Sequence, residues 1–396
     1  MNGKPRRILL VAGEASGDRY GSLLVRSLRN RDSAMGFTGI GGTRMREAGV
    51  DLFADSRDLA VVGLTEVISH WKPIRAAFRR AVNELRDAPP DLLLLIDYPD
   101  FNLRLAGQAK RFGVPVVYFV SPQVWAWRKS RVQTIARSVE MMLVILPFEE
   151  AIYQKAGVPV RFVGHPLLDI LPAPMDRKLA RTALGLDPDR RIVGILPGSR
   201  RREVEAHLPI MLESARILRE RVGDFQCLIP VASTLQAEDF RPHVERCSGL
   251  PEPILMTKRP FEALGAMDAA VIKSGTATLE AALMGVPMVV VYRTSPVTYA
   301  LASLLADVPH VALVNIVAGE RLVPEQVQGK FTPATVASLM EGLLSADTRT
   351  ADELRDRLIA LRRRLGSPGC FERAAEAILE VLQSPTLGPG EISTHD

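Results

Sequence analysis

From Arg7 the chain sets an apolar run, "RILLVAG", against a polar, glycine-bearing stretch, "EASGDRYG". The same contrast returns along most of the sequence. "DLLLLID", "VPVVYFV" and "MMLVILPF" follow in the first half, and "RIVGILPG", "FQCLIPVA", "DAAVIKSG" and "VPMVVVY" in the second. These runs are continuous in Val, Ile and Leu rather than alternating, which predicts parallel strands buried on both faces. Between them lie amphipathic patterns of helical period. Strand–helix alternation predicts βαβ units. The expected fold class is α/β, with two Rossmann-like, doubly wound parallel-sheet domains facing a cleft.

A break falls at "LPAPMDRKLARTALGLDPDRR", Leu171–Arg191, rich in proline and charge. The expected division is a first domain over 1–170, a linker over 171–190, a second domain over 191–384 and a frayed tail over 385–396. Whether the last helices pack on their own domain or cross back to the first stays open. The length of 396 residues and a hydrophobic content of 47% suffice for two cores. A net charge of +5 suits an anionic small molecule, a membrane surface or nucleic acid, and equally a solvated basic face. Cys227, Cys247 and Cys370 lie far apart, which argues against a disulfide framework or zinc site and fits a reducing cytoplasm. The apolar run after "MNGKPRR" is only a strand's length and is not read as a signal peptide. No apolar run reaches the ~18 residues of a spanning helix, so any membrane contact is expected to be peripheral.

Ligands of open α/β sheets bind beyond the carboxyl ends of strands, so the residues there carry the candidate chemistry. "GEASGD" matches neither GxGxxG nor a P-loop. Its carboxylates, Glu14 and Asp18, would repel phosphate, so with Ser16 they are read as facing a sugar or hydroxyl; the alternative is a tight turn with Ser16 or Asp18 as helix cap. "LIDYPDFN" ends a strand with Asp97, a candidate general base, while Asp100 reads as the capping residue. "SPQVWAWRKSR" joins Trp125 and Trp127 to Arg128, Lys129 and Arg131; it can stack bases, hold a sugar or phosphate, or simply pack as a helix. "LPGSR" places Ser199 and Arg200 at a helix start suited to an anion. "KSGTATLE" places Ser274, Gly275 and Thr276 at another, with Glu280 one turn on and able to reach a ribose diol. Two anion loops in one domain suggest a nucleoside diphosphate. Leu64, Val67, Ile68 and Trp71 lie at helical spacing near Arg75, Arg79 and Arg80, as in an interfacial segment or a core-facing helix.

Taken in order, "VAGEASGD", "GIGGTRM", "IDYPDFN", "VSPQVWAWR", "LPFE", "GHPLLD", "LPGSR", "SGTATLEAALMGVPMVV" and "LVNIVAGERLVPE" resemble one family, the lipid-A-disaccharide synthases, glycosyltransferases of the GT-B fold. The resemblance implies inverting transfer of 2,3-diacylglucosamine from UDP-2,3-diacylglucosamine to the 6-hydroxyl of 2,3-diacylglucosamine 1-phosphate. The products are the β-1,6 disaccharide 1-phosphate and UDP. It implies Asp97 as base, and Ser199, Arg200, Ser274, Gly275, Thr276, Glu280 and Asn315 on the donor side. Glu14, Ser16 and Asp18 fall on the acceptor side, and no metal and no cofactor are expected. Both substrates carry acyl chains, so Leu64, Val67, Ile68 and Trp71 become the expected contact with an anionic membrane surface. A homodimer without nucleic acid, on the cytoplasmic face of a Gram-negative inner membrane, is likewise implied. Another GT-B UDP-sugar enzyme, an epimerase or a polyprenyl-linked glucosaminyltransferase, would share "SGTATLE" but not the motifs of the first half. A nucleic-acid module built on the Trp/Arg segment would instead show steeply salt-dependent RNA binding.

Overall fold

A computed structural model describes residues 5–58, 64–125, 131–250, 252–296, 298–300, 309–345 and 347–383. The chain divides into two compact units, Met1–Asp169 with Leu365–Asp396, and Ile170–Arg364. The first unit holds β1 (Arg7–Ala12), β2 (Gly36–Gly41), β3 (Asp51–Asp55), β4 (Leu92–Ile96), β5 (Val116–Phe119), β6 (Met141–Val144) and β7 (Val160–Phe162), in the order β3-β2-β1-β4-β5-β6-β7. The second holds β8 (Ile192–Leu196), β9 (Gln226–Pro230), β10 (Ile254–Met256), β11 (Ala269–Lys273), β12 (Met288–Tyr292) and β13 (Glu325–Val327), in the order β10-β9-β8-β11-β12-β13. All neighbours are parallel. In each sheet the order reverses once, between β1 and β4 and between β8 and β11. At such a switch the connecting helices leave on opposite faces and open a crevice at the strands' carboxyl ends.

The strands with continuous apolar runs sit centrally. β4, "LLLLI", is buried at every position, as a strand covered on both faces must be. The strands without such runs lie at or beside the edges: β7 and β10 are partly exposed throughout, and β2 reads "GFTGIG". The helix Leu64–Asp87 contains Pro73, and its later half buries Ala77, Ala81 and Leu85 with Phe78 against the first sheet.

Residues 171–190, expected as a linker, are built into the second unit. Asp176 caps the helix Arg177–Ala183 by accepting from the Lys178 and Leu179 amides. Arg181, 5% exposed, reaches Asp268 at 2.6 Å and donates to the Ala266 and Pro188 carbonyls. A buried guanidinium satisfied in this way makes a fixed joint.

The helix Cys370–Gln383 lies with the first unit. "GHPLLD" is the platform on which it rests. The His165 amide donates to the Leu365 carbonyl at 3.0 Å, and Asp169 accepts from the Gly369 and Phe371 amides at 2.5 and 3.3 Å. Phe371 packs against Tyr20 and Phe119 with ring centroids 6.3 and 6.2 Å apart.

Candidate active site

At the end of β4 the backbone turns left-handed at two successive residues, Asp97 and Tyr98, each with φ of 49°. Side-chain-bearing residues adopt this conformation at a cost, and it persists only where neighbours enforce it. Here the Asp97 carbonyl accepts from the Tyr118 hydroxyl at 2.5 Å and from Asn102 Nδ2 at 2.7 Å. Tyr118 and Asn102 are both entirely buried. Burial first, and Asp97 second, push the Tyr118 phenol well above its usual range, so it stays a donor. Asp97 itself is half-buried at the switch point. Asp100 lies inside the following helix, Pro99–Arg111, whose N-cap is Tyr98, and it pairs with Arg131 rather than capping.

The glycine turn after β1 proves to serve an aromatic ring. A Cβ on Gly13 would lie 2.3 Å from the Tyr98 ring, which stacks on Phe101 at 5.5 Å. Only a residue without Cβ admits that ring. Glu14 is the N-cap of the helix Ala15–Arg31, with no side-chain cap bond, and it and Ser16 are half-buried. Burial, then the charges of Glu14 and Asp100, hold the Tyr98 phenol above its ordinary value. Asp18 does not cap its own helix, whose N-cap is Glu14. It is 7% exposed and accepts from the Gly42, Arg44 and Met45 amides at 2.7, 3.1 and 3.0 Å, capping the next helix, Thr43–Glu47. A carboxylate so engaged has little capacity left for a substrate hydroxyl.

Beyond β5 and β6, Glu149 is 2% exposed and accepts from Trp125 Nε1 and the Leu146 amide, both at 3.1 Å. Burial raises its carboxyl to about 7. Trp125 is thereby fixed. Trp127, Arg128 and Lys129, and the side chains of Leu64, Val67, Ile68 and Trp71, lie outside the described residues.

In the second unit the two glycine turns flank the switch between β8 and β11. Gly198 has φ of 128°, and a Cβ there would meet Glu203 Oε2 at 2.4 Å. Ser199 is not the cap of the helix Arg201–Val222; Arg200 is, without a side-chain cap bond. Sequence reasoning passed over Glu203. Its Oε2 accepts from the Ser199 amide at 2.9 Å, and its Oε1 lies 3.4 Å from Arg200 Nη1 and 2.8 Å from Lys273 Nζ. Burial opposes ionisation of Glu203, but Lys273, the Ser199 amide and Arg200 outweigh it and hold its carboxyl below the ordinary value. His207, 1% exposed, ties Glu203 in place: its Nδ1 contacts the Glu203 carbonyl at 2.8 Å and its Nε2 accepts from the Arg293 amide at 2.9 Å.

The helix Thr276–Leu283 starts at Gly275 with no side-chain cap. Ser274 and Thr278 point their hydroxyls to the Val311 and Gly275 carbonyls, both at 2.8 Å. Gly275 and Thr276 are exposed and Glu280 is half-buried, an open helix start with a carboxylate one turn away. Such a start attracts anions through its backbone amides and dipole. Asn315, expected on the donor side, is held inside the second unit. It is 0% exposed; its amide donates to the Val323 carbonyl and Glu325, and its carbonyl accepts from the Val323 amide, at 2.8–3.0 Å. It pins the helix Leu313–Ala318 to β13. Among the described residues, no group of three or more His, Cys, Asp or Glu is placed to hold a metal ion, and no helix is long and apolar enough to cross a membrane.

Comparison with known proteins gives a family and a fold. The family model described as lipid-A-disaccharide synthetase matches residues 8–375. A relative from Trichlorobacter lovleyi named lipid-A-disaccharide synthase is 48% identical over 382 residues, covering 96% of this chain and 99% of that protein. Among solved structures, the UDP-GlcNAc 2-epimerase from Neisseria meningitidis bound to UDP-GlcNAc aligns with a TM-score of 0.64 at 13% identity, over 94% of this chain and 100% of that one. The calicheamicin glycosyltransferase CalG4 aligns with a TM-score of 0.57 at 19% identity, over 96% and 99%. At such low identity the structural likeness is one of fold alone, the two-sheet GT-B fold.

Proposed function

Because the chain belongs to the lipid-A-disaccharide synthase family, and is thereby a glycosyltransferase, we propose that it moves 2,3-diacylglucosamine from UDP-2,3-diacylglucosamine to 2,3-diacylglucosamine 1-phosphate. The observation that carries this reading is the family match over residues 8–375, a span that holds every candidate site residue. In the first unit, Asp97 accepts the proton of the acceptor 6-hydroxyl as that oxygen attacks the donor's anomeric carbon. The carbon–oxygen bond to the diphosphate breaks with inversion, and its electron pair leaves on UDP. A positioned base of this kind contributes roughly 10²–10⁴ in rate. The clamped left-handed turn supports the assignment, since backbone held in an unfavourable conformation clusters where a side chain must be aimed. Glu14 and Ser16, at the neighbouring strand end, are placed to meet sugar hydroxyls.

In the second unit, the open start of Thr276–Leu283 and the "LPGSR" turn take the diphosphate, with Arg200 countering the charge that develops on it. Glu280 reaches the ribose. The reaction as proposed uses no metal. Acylated substrates place the enzyme at a membrane surface, with Leu64, Val67, Ile68 and Trp71 as the contact, on the inner face of the inner membrane and as a homodimer. Incubation of the full chain with both substrates tests the reading. Disaccharide 1-phosphate and UDP should appear in equal amounts; an epimerised UDP-sugar with no disaccharide would instead support the epimerase alternative.

A further inference from the structure

We propose that Lys273 is a ligand of the donor diphosphate, and that Glu203 holds Lys273 between the two glycine turns and yields it when the diphosphate binds. The proposal rests on the reading of the second unit as a nucleoside-diphosphate site. Lys273 is the last residue of β11, and its side chain is 15% exposed. Its ammonium lies 2.8 Å from Glu203 Oε1 in the first turn of one helix. It also lies 3.9 Å from where a Cβ on Gly275 would stand, beside the start of the other. One cation therefore sits against both turns.

The single carboxylate of Glu203 collects an ammonium from β11, a guanidinium from Arg200 and the backbone amide of Ser199. Those donors, two cations and a backbone N–H from two adjacent strand ends, are the set that recognises the oxygens of a phosphate. Glu203 occupies a place built for anionic oxygen. A diphosphate carries more charge than a carboxylate and offers more acceptor oxygens, so it competes favourably for the same donors. The backbone of Glu203 is tied by His207, so only its side chain has to swing aside. Lys273 keeps a second support as this happens, since its ammonium lies 5.5 Å from the centre of the Tyr292 ring.

The test is calorimetric titration of UDP into the full-length wild type and into Lys273→Met, Lys273→Arg and Glu203→Gln. Lys273→Met should weaken UDP binding by about 10- to 100-fold, the value of one charge-assisted contact, and Lys273→Arg should recover part of it. Glu203→Gln keeps the shape and removes the competing charge, so UDP should bind with unchanged or higher affinity. A purely structural ion pair predicts a different pattern, in which Lys273→Met and Glu203→Gln weaken UDP alike and lower the melting temperature alike; that pattern overturns the proposal. So does wild-type affinity in folded Lys273→Met. Failure of the wild type itself to bind UDP would overturn the donor-site reading beneath it, and is separable from both.

Discussion

Asp18 shows how a residue's neighbourhood, and not its motif, decides its work. Its carboxylate satisfies three backbone amides at the start of Thr43–Glu47. Asp18→Ala leaves those amides buried without a partner and should destabilise the protein by about 2–4 kcal/mol in denaturant titration. In protein that remains folded, acceptor KM should be unchanged, the opposite of what a substrate contact predicts. From sequence, a carboxylate in a glycine turn looks like a ligand; the helix it caps starts 25 residues on and meets it only in three dimensions. Lys273 was hidden for the same reason, because Glu203, 70 positions away, gives it its setting. The place of Asp97 at the end of β4 was legible because its strand is unmistakable, whereas Tyr118 and Asn102, which clamp its carbonyl, look in sequence like core residues. Glu149 carries a pH prediction. Its carboxyl titrates near 7 in the folded state against 4.5 unfolded, so the folded state binds the proton more tightly. The associated stability is present below pH 4.5 and is lost as pH rises through about 7, a change of about 3 kcal/mol. Unfolding free energies of wild type and Glu149→Gln, compared at pH 5 and pH 8, should diverge in favour of the variant as pH rises. A parallel pH dependence of the two would show that Glu149 does not titrate in this range.

At the scale of elements, hydrophobic continuity marked the central strands well, because a strand covered on both faces has no room for polar residues. It marked the edge strands poorly, because β7 and β10 are short, stay partly exposed throughout and read as ordinary loop sequence. Proline and charge at 171–190 suggested a linker, yet a single arginine, Arg181, finds a carboxylate and two carbonyls there and ties the segment to the second unit. The helix Cys370–Gln383 could not be assigned to a unit from sequence, since amphipathicity says that a helix packs and not on what. Its ties to the first unit are specific: the Asp169 cap, the His165–Leu365 bond and the Arg373 guanidinium on the Val163 carbonyl at 2.9 Å. Truncation after Arg364 removes that whole set and strips Phe371 from Tyr20 and Phe119. The truncated chain should lose the cooperative unfolding of the first unit while the second still melts as a unit, readable by hydrogen exchange on peptides from β1 and β8. Wild-type protection in β1 would show that the helix contributes nothing to that fold.

For the whole molecule, two parallel sheets of the same winding each present one switch point, and the proposed roles divide between them: base and acceptor in the first unit, diphosphate in the second. Replacing any one of Leu64, Val67 and Ile68 with Glu should reduce sedimentation with anionic vesicles by about tenfold or more, a buried apolar side chain being worth about 1.5–3 kcal/mol, while transfer to detergent-dispersed acceptor persists. Unchanged vesicle binding would place the membrane contact elsewhere. The proposed transfer depends most directly on Asp97. The deciding measurement is the rate of disaccharide formation by Asp97→Asn with both substrates saturating, alongside UDP binding by the same preparation. If Asp97 is the base, kcat should fall by roughly 10²–10⁴ with UDP affinity intact; near wild-type turnover by a folded Asp97→Asn protein would contradict that role.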